Sequence, residues 1–212
     1  MGCFEDRPSA LEGHLQDKAI STGFENHSTS HVVTTILRYS RLPAPLTSNA
    51  FEAIRSHLDL KPSKSSSQIE QLYTETFIGK YPRTLLVAGI LLSKGDERTK
   101  ATALYEAYDT QAESMIREVL ILEMLQELFG LAAKGLKVLY VNVSREDLNY
   151  FEEIEQNVGK GSKEVAANLL NGTSSLPKNT FIERLSVLKH GSLLQLYGLR
   201  QYLHGLSSSN KP

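Results

Sequence analysis

Tryptophan is absent, cysteine occurs once, and neither sign of charge dominates. The lone thiol, Cys3, leaves no partner for an intrachain disulfide, and a cytoplasmic chain is the reading that follows. With 23 Lys and Arg against 24 Asp and Glu, the net charge is −1 and gives no electrostatic reason to expect nucleic acid as a partner. No apolar run approaches the roughly 18–20 residues of a membrane-spanning helix; the longest extends from Leu85 to Leu92. The start of the chain carries Glu5 and Asp6 with no apolar stretch behind them, unlike a secretory signal. Without a secretion route, the Asn-x-Ser/Thr triplets at Asn26, Asn142 and Asn171 are chance matches.

What is present is ordinary globular material. The 212 residues, 41% of them hydrophobic and 22% charged, suffice for one large domain or two small helical lobes. Met1-Gly2-Cys3 is a dual acylation candidate: after loss of Met1, Gly2 would take a myristoyl chain and Cys3 a palmitoyl chain. Two acyl chains anchor a protein to membrane where one does so marginally. Asp6 departs from the Ser or Thr preferred there, and an unmodified polar start is the alternative. Residues 1–29 read as a flexible tether and 207–212 as a disordered tail, with a helical domain over 30–206 in lobes of about 30–95 and 96–206.

Apolar residues recur at helical spacing through most of that domain. Val32, Val33, Ile36 and Leu37 make one stripe, ended by Pro43 and Pro45. Ser48 is placed to cap a helix carrying Phe51, Ile54 and Leu58; Gln68 to Ile78 reads as a further short helix. Thr84 to Ser93 is apolar enough for burial on most sides, with Gly95 as a left-handed cap and Asp96 opening the next helix. Leu136 to Val143 is β-branched, yet a lone strand has no pairing partner, so helix is preferred. A helix over 145–157 is followed by a Gly/Lys-rich turn at 158–163 and three more helical stretches.

A repeated unit runs through this pattern: helix, twelve-residue loop, helix, with an apolar residue at loop position 8. Asp109 to Leu120 fits best, with Ile116 at position 8. Leu169 to Thr180 places Leu176 there, and Tyr39 to Ala50 places Leu46 there. Tyr73 to Thr84 fits poorly, having Lys80 at that position. Starts at 39, 73 and 109 are 34 and 36 residues apart, and the last lies 60 further on, so an insertion containing the 145–157 helix must intervene.

The segment LLVAGILLSKGDERTKATALYEAYDTQAESMIREVLILEMLQELF, residues 85–129, resembles the central region of EF-hand proteins such as the neuronal calcium sensors and calcineurin B. It is also similar to the degenerate EF-hand module of the TLDc-domain regulators of mTOR signalling, a family that likewise begins with Met-Gly. No TLDc domain is present in this chain. The resemblance implies an all-α fold of EF-hand-like helix-loop-helix pairs.

Calcium requires six to eight oxygens, chiefly from loop positions 1, 3 and 5 and a bidentate Glu at 12. In 109–120 those positions hold Asp109, Gln111, Glu113 and Leu120; in 169–180 they hold Leu169, Asn171, Thr173 and Thr180. Tyr39, Arg41, Pro43 and Ala50 occupy them in the first loop, and Tyr73, Glu75, Phe77 and Thr84 in the poorest. No loop has the acid at position 12, so no metal or cofactor is expected, with Asp109 and Glu113 as the residual calcium candidates.

No catalytic signature appears. His27 and His31 stand at metalloprotease spacing, but the general-base Glu is missing and HSTSH is not helical in character. Gly159-Lys160-Gly161-Ser162-Lys163 has the wrong order for a phosphate loop and reads as a turn. Glu152, Glu153 and Glu155 read as a solvated helix face, and His57, His190 and His204 have no paired acid or nucleophile nearby in sequence. The expected function is therefore a non-catalytic, calcium-independent adaptor or regulatory subunit gripping an amphipathic helix of a partner protein. Its groove would be lined by Leu85, Leu86, Ile90, Met124, Leu125, Phe129 and Leu139. A structural part of a larger, for example cytoskeletal, assembly and a residual calcium sensor are the alternatives.

Overall fold

The computed structural model describes residues 10–20, 22–40, 44–60, 76–77, 79, 82–109, 113–135, 145–187 and 191–208. The Gln68 to Ile78 helix, Leu136 to Val143, Gly2, Cys3, Leu139, His190 and the last four residues lie wholly or largely outside them.

Helices dominate, and their ends follow local chemistry. Helix α1 spans Ala10–Ile20, a 3-10 turn spans Phe24–Asn26, and α2 spans Thr29–Tyr39. The Ser28 hydroxyl caps α2 by accepting from the His31 N–H. Helix α3, Ser48–His57, is capped by Thr47 rather than Ser48. Helices α4 (Pro82–Leu92) and α5 (Glu97–Tyr108) follow, the latter capped by Asp96 accepting from Thr99 N–H at 2.7 Å. Strand β1 (Met115–Arg117) leads into α6 (Glu118–Gly130) and a π turn, Leu131–Gly135. Helices α7 (Arg145–Gln156) and α8 (Val158–Leu170), strand β2 (Ser175–Pro177), α9 (Lys178–Val187), a 3-10 turn (Gly191–Leu194) and α10 (Leu196–Ser208) complete the order.

The packing repeats. Helix α5 packs on α9 and α6 on α8, so the first and last helices meet, as do the second and third. In the preceding set α2 packs on α4 in the same first-to-last manner. The α2–α4 crossing is close because Gly89 lacks a side chain: a Cβ there would lie 2.6 Å from Val32 Cγ1. Gly95 does not adopt the expected left-handed conformation. Its smallness serves a close approach instead, since a Cβ would fall 2.4 Å from the Thr29 hydroxyl. There Ser28 and Lys94 form a parallel bridge, with Lys94 N–H donating to His27 O at 2.8 Å and Thr29 N–H to Lys94 O at 2.9 Å.

Three sequence expectations need correction. Residues 10–20 are not tether but α1, whose Leu11 and Leu15 enter the core. One pair of leucines is too little local pattern to specify a helix, and packing decides it. Residues 158–163 are not a turn but the first turns of α8, where Gly161 lets Leu203 of α10 approach: a Cβ would lie 2.9 Å from Leu203 Cδ2. The segment from 207 is not all tail, because α10 continues to Ser208.

Three buried charged residues join these helices. Arg200 of α10, 1% exposed, pairs with Glu12 of α1, 2% exposed: Nε donates at 2.8 Å and Nη2 at 2.6 Å to the carboxylate. The Tyr150 hydroxyl of α7 donates to the same carboxylate. Lys100 of α5 donates through Nζ to Leu91 O at 2.7 Å and to Leu194 O at 3.4 Å, closing the end of α4 against the 3-10 turn before α10.

Candidate functional site

Helix α5 brings Tyr105 and Tyr108 into the core and delivers Asp109 to the start of a loop. The Asp109 N–H donates to Tyr105 O, and its Oδ1 accepts the Glu113 N–H at 3.0 Å. Burial, and then the neighbouring Asp109 carboxylate, push the Tyr105 hydroxyl up to about 12. Ser114, sixth in the loop, adopts φ +60°. That left-handed conformation is the one for which calcium loops use glycine. The chain then straightens into β1, which pairs antiparallel with β2 so that Ile116 faces Leu176. Glu118 N–H donates to Ser174 O at 2.9 Å, and Lys178 N–H to Ser114 O at 3.4 Å. Ile116 and Leu176 are buried, and these are the two residues at the eighth positions of their loops.

The second loop begins differently. Helix α8 continues through Leu170 and ends on Asn171 at φ +47° and Gly172 at φ +84°. The carbonyls at its end are met from within: Arg184 of α9 donates through Nη1 to Leu169 O and Leu170 O, and the Thr173 hydroxyl donates to Leu170 O. A protein cation thus occupies the C-terminal end of α8. Leu169, at the first ligand position, is fully buried, while Leu120, at the twelfth position of the other loop, packs partly buried on the core. Asp109 is engaged by a main-chain amide, and Glu113 reaches Arg117 at 3.9 Å, so the two residual carboxylates already have partners in the loop.

In the first half, Leu46 is buried and its carbonyl accepts the Gly79 N–H at 2.9 Å. The loops that begin near 39 and 73 therefore also touch at the eighth position of the first.

The expected open groove is not a groove. Leu85, Leu86, Ile90, Met124, Leu125 and Phe129 are each 0–1% exposed and belong to the core. Helix α4 is covered by α2 and α5, and α6 by α10, which lies against α6 and α8 with the Phe129 and Tyr202 rings stacked at 5.6 Å. Asn157 secures α10 by donating through Nδ2 to Leu203 O at 3.0 Å and to Ser207 Oγ at 2.6 Å. The chain's own helices fill the space assigned to a partner.

Other candidates fall out of the chemistry. The structure gathers His27, His31 and His57, which the sequence separates, with ring centroids at 5.5 and 6.0 Å. Among the described residues no group of three or more His, Cys, Asp or Glu is arranged to hold a metal ion. Glu153 lies 3.6 Å from His204 and Glu155 pairs with Lys134 at 2.9 Å. Both are surface pairs of small energetic consequence. Among the described residues, no helix is long and apolar enough to cross a membrane. The buried Glu12–Arg200–Tyr150 cluster had no sequence signal, because its members lie 138 and 188 residues apart.

At the base of α6, Glu127 Oε2 accepts the Tyr108 hydroxyl at 2.6 Å, with the Arg83 guanidinium 4.6 Å from the Tyr108 ring centre. Burial raises the Glu127 pKa above its usual 4.5, outweighing the Tyr108 hydrogen bond that acts the other way. The folded chain then holds a proton that the unfolded chain releases, so this group erodes stability as pH rises above 4.5. Glu127→Gln keeps an acceptor for Tyr108 and is expected to remove that slope. Urea midpoints at mildly acidic and neutral pH would check it, and a slope equal to wild type would refute it.

No family model, curated protein or solved structure matches this chain.

Proposed function

We propose that this chain is a non-catalytic, calcium-independent EF-hand-like adaptor or regulatory subunit that binds a partner protein. One observation carries the reading. Ile116 and Leu176 pair across two loops whose flanking helices pack first-to-last and second-to-third, while Leu120 and Thr180 stand where calcium would need a carboxylate. The left-handed Ser114 supports the same plan, because it keeps the backbone turn of a calcium loop after the glycine and the ligands are gone.

With α10 in the internal groove, the partner is assigned to the outer face of the paired loops. Met115 in β1 is 41% exposed and Val119 in the first turn of α6 is 66% exposed. Apolar side chains left in water at such a position suit a protein contact. Acylation at Gly2 and Cys3 belongs to the same reading as a membrane tether for the adaptor, and the intact mass of the native protein tests it.

Calorimetric titration of the full-length protein with calcium should give no binding heat at micromolar concentrations. Protein isolated in chelator should retain its partner stoichiometrically, and Val119→Asp should release that partner without moving the melting midpoint. Micromolar calcium binding would overturn the calcium-independent part of the reading. Retention of the partner by Val119→Asp would overturn the assigned face.

A further inference from the structure

We infer that the cleft between α1, the Phe24–Asn26 turn, α4 and the start of α10 is a binding site for a small uncharged carboxamide. Its volume is about 330 Å³, at the lower end of ligand pockets. The floor is Leu91, Leu196 and Arg200, which are 4%, 7% and 1% exposed. Leu92 and Tyr197, half-buried, form walls, and Gln16 and Gln195 stand at the rim.

Two buried polar atoms on residues of this lining have no hydrogen-bond partner among the described residues: Arg200 Nη1, a donor, and Glu25 Oε2, an acceptor. The Arg200 fork is only partly spent, since Glu12 takes Nε and Nη2 and leaves Nη1 over. Buried groups of this kind demand partners. A ligand that answers both must present an acceptor to Nη1 and a donor to Oε2, which a carboxamide does with one group.

Charge selects the same class. The guanidinium is already balanced by Glu12 behind the cleft, so an anion would meet the Glu25 carboxylate with no free positive charge to offset it. An ammonium would satisfy Oε2 but oppose Nη1. The leucine and tyrosine walls take an apolar body beside the amide. This site is separate from the paired loops and does not depend on the proposed function.

The test uses full-length, isotope-labelled protein and three probes with the same ring: benzamide, benzoate and benzylamine. Benzamide should shift the amide resonances of Leu91, Leu92, Leu196 and Tyr197 at millimolar concentration. Benzoate and benzylamine should each bind about tenfold more weakly, the loss expected when one charge-assisted hydrogen bond is missing. Arg200 also holds the core ion pair, so the discriminating variant is Glu25→Ala, which should weaken benzamide about tenfold with the melting midpoint unchanged. Absence of benzamide shifts would overturn the inference. So would equal binding of benzoate, or benzamide binding unchanged in Glu25→Ala.

Discussion

Replacing Glu12 by Ala is expected to cost about 3–5 kcal/mol, because it strands the Arg200 guanidinium in the core without its counter-ion. The pair is nearly sealed from solvent, with side chains 1% and 3% exposed, and the shortest contact is 2.6 Å. Tyr150 loses its acceptor in the same step, which adds an unpaired hydroxyl. Since Glu12 lies in α1 and Arg200 in α10, the loss should appear in both ends of the chain at once. A double replacement, Glu12→Leu with Arg200→Met, removes both charges and should recover most of the stability. Urea unfolding of the three proteins decides the matter. If Glu12→Ala unfolds at the wild-type midpoint, α1 does not dock as described.

The second large effect is expected at the paired loops. Ile116→Ala and Leu176→Ala each remove a buried side chain, with an expected loss of about 2–5 kcal/mol. Because the two residues face one another across β1 and β2, their effects should not add. A double-mutant cycle should show coupling of about 0.5–3 kcal/mol. Additivity within about 0.5 kcal/mol would mean that the loops fold independently, and the EF-hand-like reading would lose its support.

These two sites differ in how they could be read beforehand. Ile116 and Leu176 were legible from spacing alone, since a fixed loop length places each apolar residue at the eighth position of its loop. Most helices were legible for a related reason: Val32 and Ile36, or Phe51 and Ile54, repeat at helical spacing within a few residues. The charged cluster was not. Glu12 sits in a polar stretch with only Leu11 and Leu15 for company, and no local rule marks it as a core residue.

The six described groove residues show the same division. Leu85, Leu86, Ile90, Met124, Leu125 and Phe129 were recognisable as apolar and inward-facing, and they are. Whether those on α6 face a partner or the chain itself depends on where α10 lies. That is decided by Gly161, Asn157 and Arg200 acting on residues some forty or more positions away.

The sequence by itself determined the mostly helical class, the spacing of the apolar loop positions and the absence of an acid at the twelfth position of each loop. Each of these is a local property, set by residue type and short-range periodicity. Only the tertiary structure decided that α1 belongs to the core, that α10 closes the groove, and that Arg200 and Glu25 line one cleft. Those outcomes depend on burial and long-range pairing, whose energies arise only when distant segments meet.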